Sequence, residues 1–125
     1  MRNLLVLGVA ALVLIAAAPA PPLRAWSKAD FVAAQDAGQP VVVFVHASWC
    51  VTCRKQEPII RQLLSDPTFK AVTVFVVDYA DKTTLKELSV TDRSTLVAFH
   101  GKRERTRSSF STDPTAIRAL FSSAL

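Results

Sequence analysis

Two cysteines, one methionine and three glycines are all that this 125-residue chain contains of those types. Small exported domains stapled by disulfides usually carry about four or more cysteines. A structural zinc site takes about four ligands. Two cysteines exclude the first scaffold and supply half of the second site. A bridge closing a loop of two residues also removes little unfolded-state entropy, so the pair is read as reactive rather than structural. A soft copper site favours thioethers, and the one methionine is Met1. Motifs for nicotinamide or flavin are absent, as are internal repeats.

Long apolar runs are lacking too. Leu4 to Ala18 is the longest apolar stretch, short of the roughly 20 residues that span a bilayer comfortably. With Arg2 before it and a Pro/Ala segment after it, residues 1–25 read as a secretory signal. The small-x-small pairs Ala16/Ala18 and Ala18/Ala20 are each followed by proline, and a cut after Ala25 would place Leu23 three residues back. An uncleaved signal anchor is the alternative. Either way the body, residues 26–125, is expected to be exported as one domain, long enough for a modest core.

Strong charge is missing as well. The net charge is +5, and without Arg2 and Arg24 the body holds 13 basic against 10 acidic residues. The densest run, "GKRERTR" from Gly101 to Arg107, has no aromatic residues interleaved. It reads as a solvated hairpin edge whose charges discourage edge-to-edge pairing, and no nucleic-acid partner is expected.

The remaining sequence alternates between two periodicities. Ser27 as N-cap, Asp30 in the capping-box position and Gly38 with Pro40 as stop signals predict a helix over 28–37. "VVVFVHA" (Val41 to Ala47) and "AVTVFVVDY" (Ala71 to Tyr79) are strands buried on both faces. Between them Ile59, Ile60, Leu63 and Leu64 recur at helical spacing, with Pro58 expected to kink that helix. "KTTLKELSV" predicts a short helix with Leu85 and Leu88 inward. "STLVAFH" and "RERTRSSF" around Gly101 predict a hairpin. Thr112 or Asp113 caps a closing helix with Pro114 in its first turn and Ile117, Leu120, Phe121 and Leu125 as its apolar stripe. The order α-β-α-β-α-β-β-α implies a right-handed parallel crossover followed by an antiparallel hairpin. An α/β fold results: a central mixed four-stranded sheet with helices on both faces.

Within this frame "HASWCVTCRKQEP" places Cys50 at the end of a buried strand and the start of a helix. Unpaired backbone N–H groups and the helix dipole favour an anion there, so Cys50 is expected as the nucleophilic thiolate. Cys53, one turn later, would resolve the mixed disulfide.

"WCVTC" followed by Pro58, in this element order, resembles the thioredoxin superfamily over nearly the whole body. It is similar in particular to the carboxy-terminal periplasmic domain of the transmembrane disulfide reductase DsbD, whose motif is WCVAC-like with an acid where Glu57 stands here. The resemblance implies a three-layer thioredoxin-like fold and a periplasmic protein disulfide reductase, held at the inner membrane if its signal stays uncleaved. It implies no cofactor beyond the Cys50–Cys53 pair. The partners implied are disulfide-bonded proteins and a membrane thiol donor of the DsbD or CcdA kind, and a monomer is expected.

Two departures from the family pattern matter. Phe44 stands where thioredoxins carry a buried acid that manages the second thiol's proton, and an apolar residue around Val74 replaces its lysine partner. Glu57 and His46 are the candidates to cover that loss. In "DRSTLVAFHG", Ser94 occupies the family's cis-proline position, followed by the expected Thr95 and Leu96. A cis bond before a non-proline residue costs about 2.5–4 kcal/mol, so Arg93–Ser94 is expected to be trans. A more open site should follow, with Trp49, Arg93, Ser94 and Thr95 meeting substrate and the Ser94 hydroxyl near the sulfurs. Val51-Thr52 lacks the histidine of strong oxidants, favouring net reduction at roughly −200 to −270 mV. Two other readings stay open: a Cu(I) or Zn(II) module using Cys50, Cys53 and His46, and a redox-inert binding domain.

Overall fold

The computed structural model describes residues 11–14 and 23–125. The expected leader lies largely outside the described residues. Ten elements follow Leu23: strand β1 (Arg24–Ala25), helix α1 (Lys28–Asp36), β2 (Pro40–His46), α2 (Val51–Ser65), a 3₁₀ turn (Pro67–Phe69), β3 (Thr73–Asp78), α3 (Lys82–Glu87), β4 (Thr95–His100), β5 (Arg103–Ser109) and α4 (Pro114–Ser123).

Val41 to Val45 are wholly buried, without alternation, because both faces of β2 are covered. Val42 and Phe44 pack with α2, α4 and Phe69. Val41, Val43 and Val45 pack with Phe31 of α1 and Leu85 of α3 on the other face. β2 therefore forms the middle of the sheet, parallel to β3 and antiparallel to β4. β5 adds an antiparallel edge with an irregularity at Ala98/Phe99.

The sheet has five strands, in the order β1-β3-β2-β4-β5, rather than four. The fifth is β1, parallel to β3 with Arg24 opposite Phe75, and the Trp26 amide extends the pairing to the Val76 carbonyl at 3.0 Å. Two exposed residues carry no periodicity, so only the partner strand defines this element. The sheet thus begins two residues before the expected domain start at Trp26.

Local signals place the helix ends. The Ser27 hydroxyl accepts the Asp30 amide at 3.2 Å to start α1. Asp81 and Asp113 do the same for α3 and α4 through the amides of Thr84 and Thr115, both at 3.1 Å. α2 runs from Val51 to Ser65 with Pro58 inside it, which leaves the Arg54 carbonyl without its usual helical donor. Leu125 does not join the stripe of α4. It is half exposed, and Ala124 is buried instead, because α4 ends at Ser123. Gly101, at φ +55, closes the β4–β5 turn against the end of α1. A Cβ there would lie 3.2 Å from the Gly38 Cα and 3.3 Å from the Gln35 carbonyl oxygen.

Candidate active site

His46 ends β2, and the chain turns through Ala47–Trp49 to deliver Cys50 as the N-cap of α2. The Cys50 amide donates to the Ala47 carbonyl at 3.1 Å, fixing the turn. Its Sγ accepts the Cys53 amide at 3.2 Å. The sulfur thus occupies the place where a serine or aspartate oxygen caps a helix, facing the positive end of its dipole. Cys50 and Cys53 are joined as a disulfide, with Cα atoms 5.3 Å apart.

Ser94, in the loop before β4, reaches both sulfurs. Its Oγ lies 3.0 Å from Cys50 Sγ and 3.1 Å from Cys53 Sγ. No cis peptide occurs among the described residues, so Arg93–Ser94 is trans, and Ser94 sits at φ +57. Left-handed backbone at a non-glycine residue costs roughly 1–2 kcal/mol and persists where surroundings over-determine it. The Ser94 amide donates to the Val45 carbonyl at 2.9 Å, and its carbonyl accepts the Phe110 amide at 3.0 Å. That carbonyl also accepts Gln56 Nε2 at 3.1 Å, and Gln56 Nε2 donates in addition to the Ser111 carbonyl at 2.9 Å.

These bonds close the site instead of opening it. Ser94 and Cys53 are fully buried and Cys50 is 2% exposed, because a trans serine in left-handed conformation turns its side chain onto the sulfurs. The expectation of a more open site is corrected on this point.

An aromatic and cationic rim surrounds the buried sulfurs. Trp49 is 62% exposed and Phe110 is 43% exposed. The Arg93 guanidinium stacks on both, 5.1 and 5.5 Å from their ring centres. Tyr79 meets Trp49 edge-on at 6.2 Å and carries the Lys82 ammonium on its face at 3.4 Å. Thr95 is buried, and its hydroxyl bonds the Asp92 carbonyl and Ser109 Oγ, both at 2.7 Å. It shapes the loop rather than the rim.

Glu57 and His46 lie together on another side of α2. Glu57 accepts from Arg61 at 2.8 Å, and His46 Nε2 stands 4.0 Å from its second oxygen. With Leu23, Ala25, Phe44 and Val76 they line a cavity of about 280 Å³. Neither is hydrogen-bonded to a sulfur. Among the described residues no three His, Cys, Asp or Glu side chains converge to hold a metal ion. The grouping of Cys50, Cys53 and His46 is therefore not formed, because the imidazole turns toward Glu57 and packs edge-on to Phe44 at 5.4 Å.

Gln56 was not foreseen as a site residue. It had a signal: a polar residue at helical spacing between Cys53 and Ile60 on the buried side of α2. Tyr79, Phe110 and Ser111 gave none, since their contacts with Trp49, Arg93 and Gln56 depend on long-range pairing.

A CxxC disulfide whose first sulfur caps the helix after the central strand of a five-stranded mixed sheet defines a thioredoxin-fold protein with a redox-type site. The chain belongs to the thioredoxin-like family, whose model matches residues 23–104. Among solved structures it is similar to Trxlp from Edwardsiella tarda EIB202, at 34% identity and a TM-score of 0.75, covering 78% of this chain and 96% of that one. Thioredoxin from Fasciola hepatica matches at 25% identity and a TM-score of 0.68, covering 79% and 96%. A thioredoxin from Malassezia sympodialis matches at 18% identity and 0.74, covering 88% and 97%, which bears on the fold alone. No curated protein matches the chain significantly.

Proposed function

We propose that this protein is a dithiol–disulfide oxidoreductase that reduces protein disulfides outside the cytoplasm, drawing electrons from a membrane thiol carrier. The observation that carries the chemistry is Cys50 Sγ in the N-cap position of α2, bonded to Cys53. In the reduced protein the Cys50 thiolate attacks one sulfur of a substrate disulfide. A Cys50–substrate bond forms, the substrate S–S bond breaks, and the departing thiolate takes a proton from solvent. Cys53 passes its proton to the Glu57–His46 pair and attacks Cys50 Sγ, and the second substrate sulfur leaves as a thiolate that takes a proton from solvent. The substrate gains two electrons and two protons, and the Cys50–Cys53 disulfide is regenerated.

Trp49, Phe110 and Arg93 form the surface a substrate would meet, offering apolar contact around one cation. Glu57 and His46, bordering the cavity beside Phe44, are assigned to proton exchange with the pair. The periplasmic setting, the monomeric state, the likeness to the DsbD domain and a donor of the DsbD or CcdA kind belong to this proposal. They are supported by the signal-like leader and the WCVTC motif with Glu57 behind it. A redox-inert binding role is the reading it displaces, since a disulfide at a helix N-terminus has no structural need to be there.

The test is turnover of insulin disulfides with dithiothreitol as donor. Cys50→Ser should abolish it, and Cys53→Ser should accumulate mixed disulfides. Faster alkylation of Cys53 than of Cys50 at neutral pH would reverse the two roles, and a wild-type disulfide that never cycles would end the proposal.

A further inference from the structure

Gln56 is an uneconomical residue for its position. It is fully buried, and its Oε1 has no hydrogen-bond partner among the described residues. An apolar side chain would avoid that desolvation penalty, so the amide is retained for what its other end does. Nε2 grips the carbonyls of Ser94 and Ser111, tying the loop before β4 to the segment after β5. Ser94 is also held by Val45 and Phe110 in a backbone conformation serine disfavours. Three hydrogen bonds thus converge on Ser94 and a fourth anchors the same amide to Ser111, and their joint result is a hydroxyl set between two sulfurs. No charged side chain among the described residues is hydrogen-bonded to either sulfur. The contacts of Cys53 Sγ are Ser94 Oγ at 3.1 Å and, more distantly, the Val45 carbonyl at 3.8 Å.

We propose that the Ser94 hydroxyl is the hydrogen-bond partner both sulfurs share through the catalytic cycle, and that Gln56 is the residue positioning it. The proposal rests on the oxidoreductase reading for its purpose, though not for its test. In the disulfide neither sulfur carries a proton, so the hydroxyl donates to the pair. In the reduced site the Cys53 thiol donates to Ser94 Oγ, which donates in turn to the Cys50 thiolate. When Cys53 gives up its proton to the Glu57–His46 pair and attacks Cys50, the hydroxyl turns its donor onto the Cys53 thiolate. Hydroxyl reorientation leaves the serine unchanged and consumes nothing, and the Val45 carbonyl favours the protonated form of Cys53 until that moment. A single neutral group thereby hydrogen-bonds whichever sulfur carries the charge, while acceptance of the Cys53 proton stays with Glu57 and His46, since a serine that ends unchanged takes up no proton.

The experiment measures the pH dependence of alkylation of each thiol in chemically reduced protein, mapped by peptide mass. This needs no turnover, so it can fail separately from the proposed function. Ser94→Gly removes the hydroxyl while suiting φ +57, and Ser94→Ala removes it with the backbone preference little changed. Both should raise the apparent pKa of Cys50 and cut its thiolate fraction roughly tenfold on the acid side of the transition, as expected on losing a charge-assisted hydrogen bond. Gln56→Met, close in shape but without the donor, should move it in the same direction by less. Unchanged pH profiles for both thiols in folded Ser94→Gly would overturn the role of Ser94. An unchanged Cys50 profile in folded Gln56→Met would overturn that of Gln56.

Discussion

Ser94 shows how one residue sets the character of a site. The sequence indicates a departure from proline and a hydroxyl near the sulfurs, and both hold. It does not indicate closure, because left-handed backbone at serine follows from bonds made by Val45, Phe110 and Gln56. Ser94→Pro should therefore fail to behave as a simple return to the family residue. Proline cannot adopt φ +57 and lacks the amide that bonds Val45. A loss of at least about 2 kcal/mol is expected from the missing bond and the forced rearrangement, read as a lower urea midpoint. Glu57 supports a second prediction. If it exchanges protons with the buried pair, Glu57→Gln should slow insulin reduction at pH 7 and shift the pH–rate profile. An unchanged profile would assign the Glu57–His46–Arg61 group to holding α2 beside β2.

Elements with strong local chemistry were legible: two continuous β-branched strands, an amphipathic closing helix, and caps at Ser27 and Asp113. What escaped had no local signal. β1 is visible only through β3, and the end of α4 at Ser123 could not be told from a stripe continuing to Leu125. The caps also carry a pH dependence. Asp81 is held below its ordinary 3.8 by its hydrogen bonds from Thr84. Asp66, which caps the 3₁₀ turn, is held below 3.8 by its bonds from Thr68 and then by Arg118. A carboxylate lowered in the folded state stabilises the fold above its unfolded value, and that contribution is lost as pH falls through the folded value. The melting temperature should hold above about pH 4 and decline below it. Asp81→Asn, which keeps an acceptor without the charge, should flatten part of the decline.

At the scale of the molecule, the sheet begins before the domain boundary that composition suggests. Leu23 packs against the core containing the cysteines, and Arg24–Ala25 pairs with β3. A protein starting at Leu23 should melt higher than one starting at Trp26, by a few degrees for roughly 1 kcal/mol of lost pairing and packing in a domain of this size. Equal melting temperatures would make β1 dispensable.

The direction of β1 has its own consequence. It runs parallel to β3, which runs parallel to β2, and Cys50 follows the far end of β2. Arg24 and Ala25 therefore run toward the pole that bears the disulfide, and with Leu23 they bring the start of the sheet against the cavity of His46 and Glu57. Whatever loosens this first strand loosens one wall of that cavity.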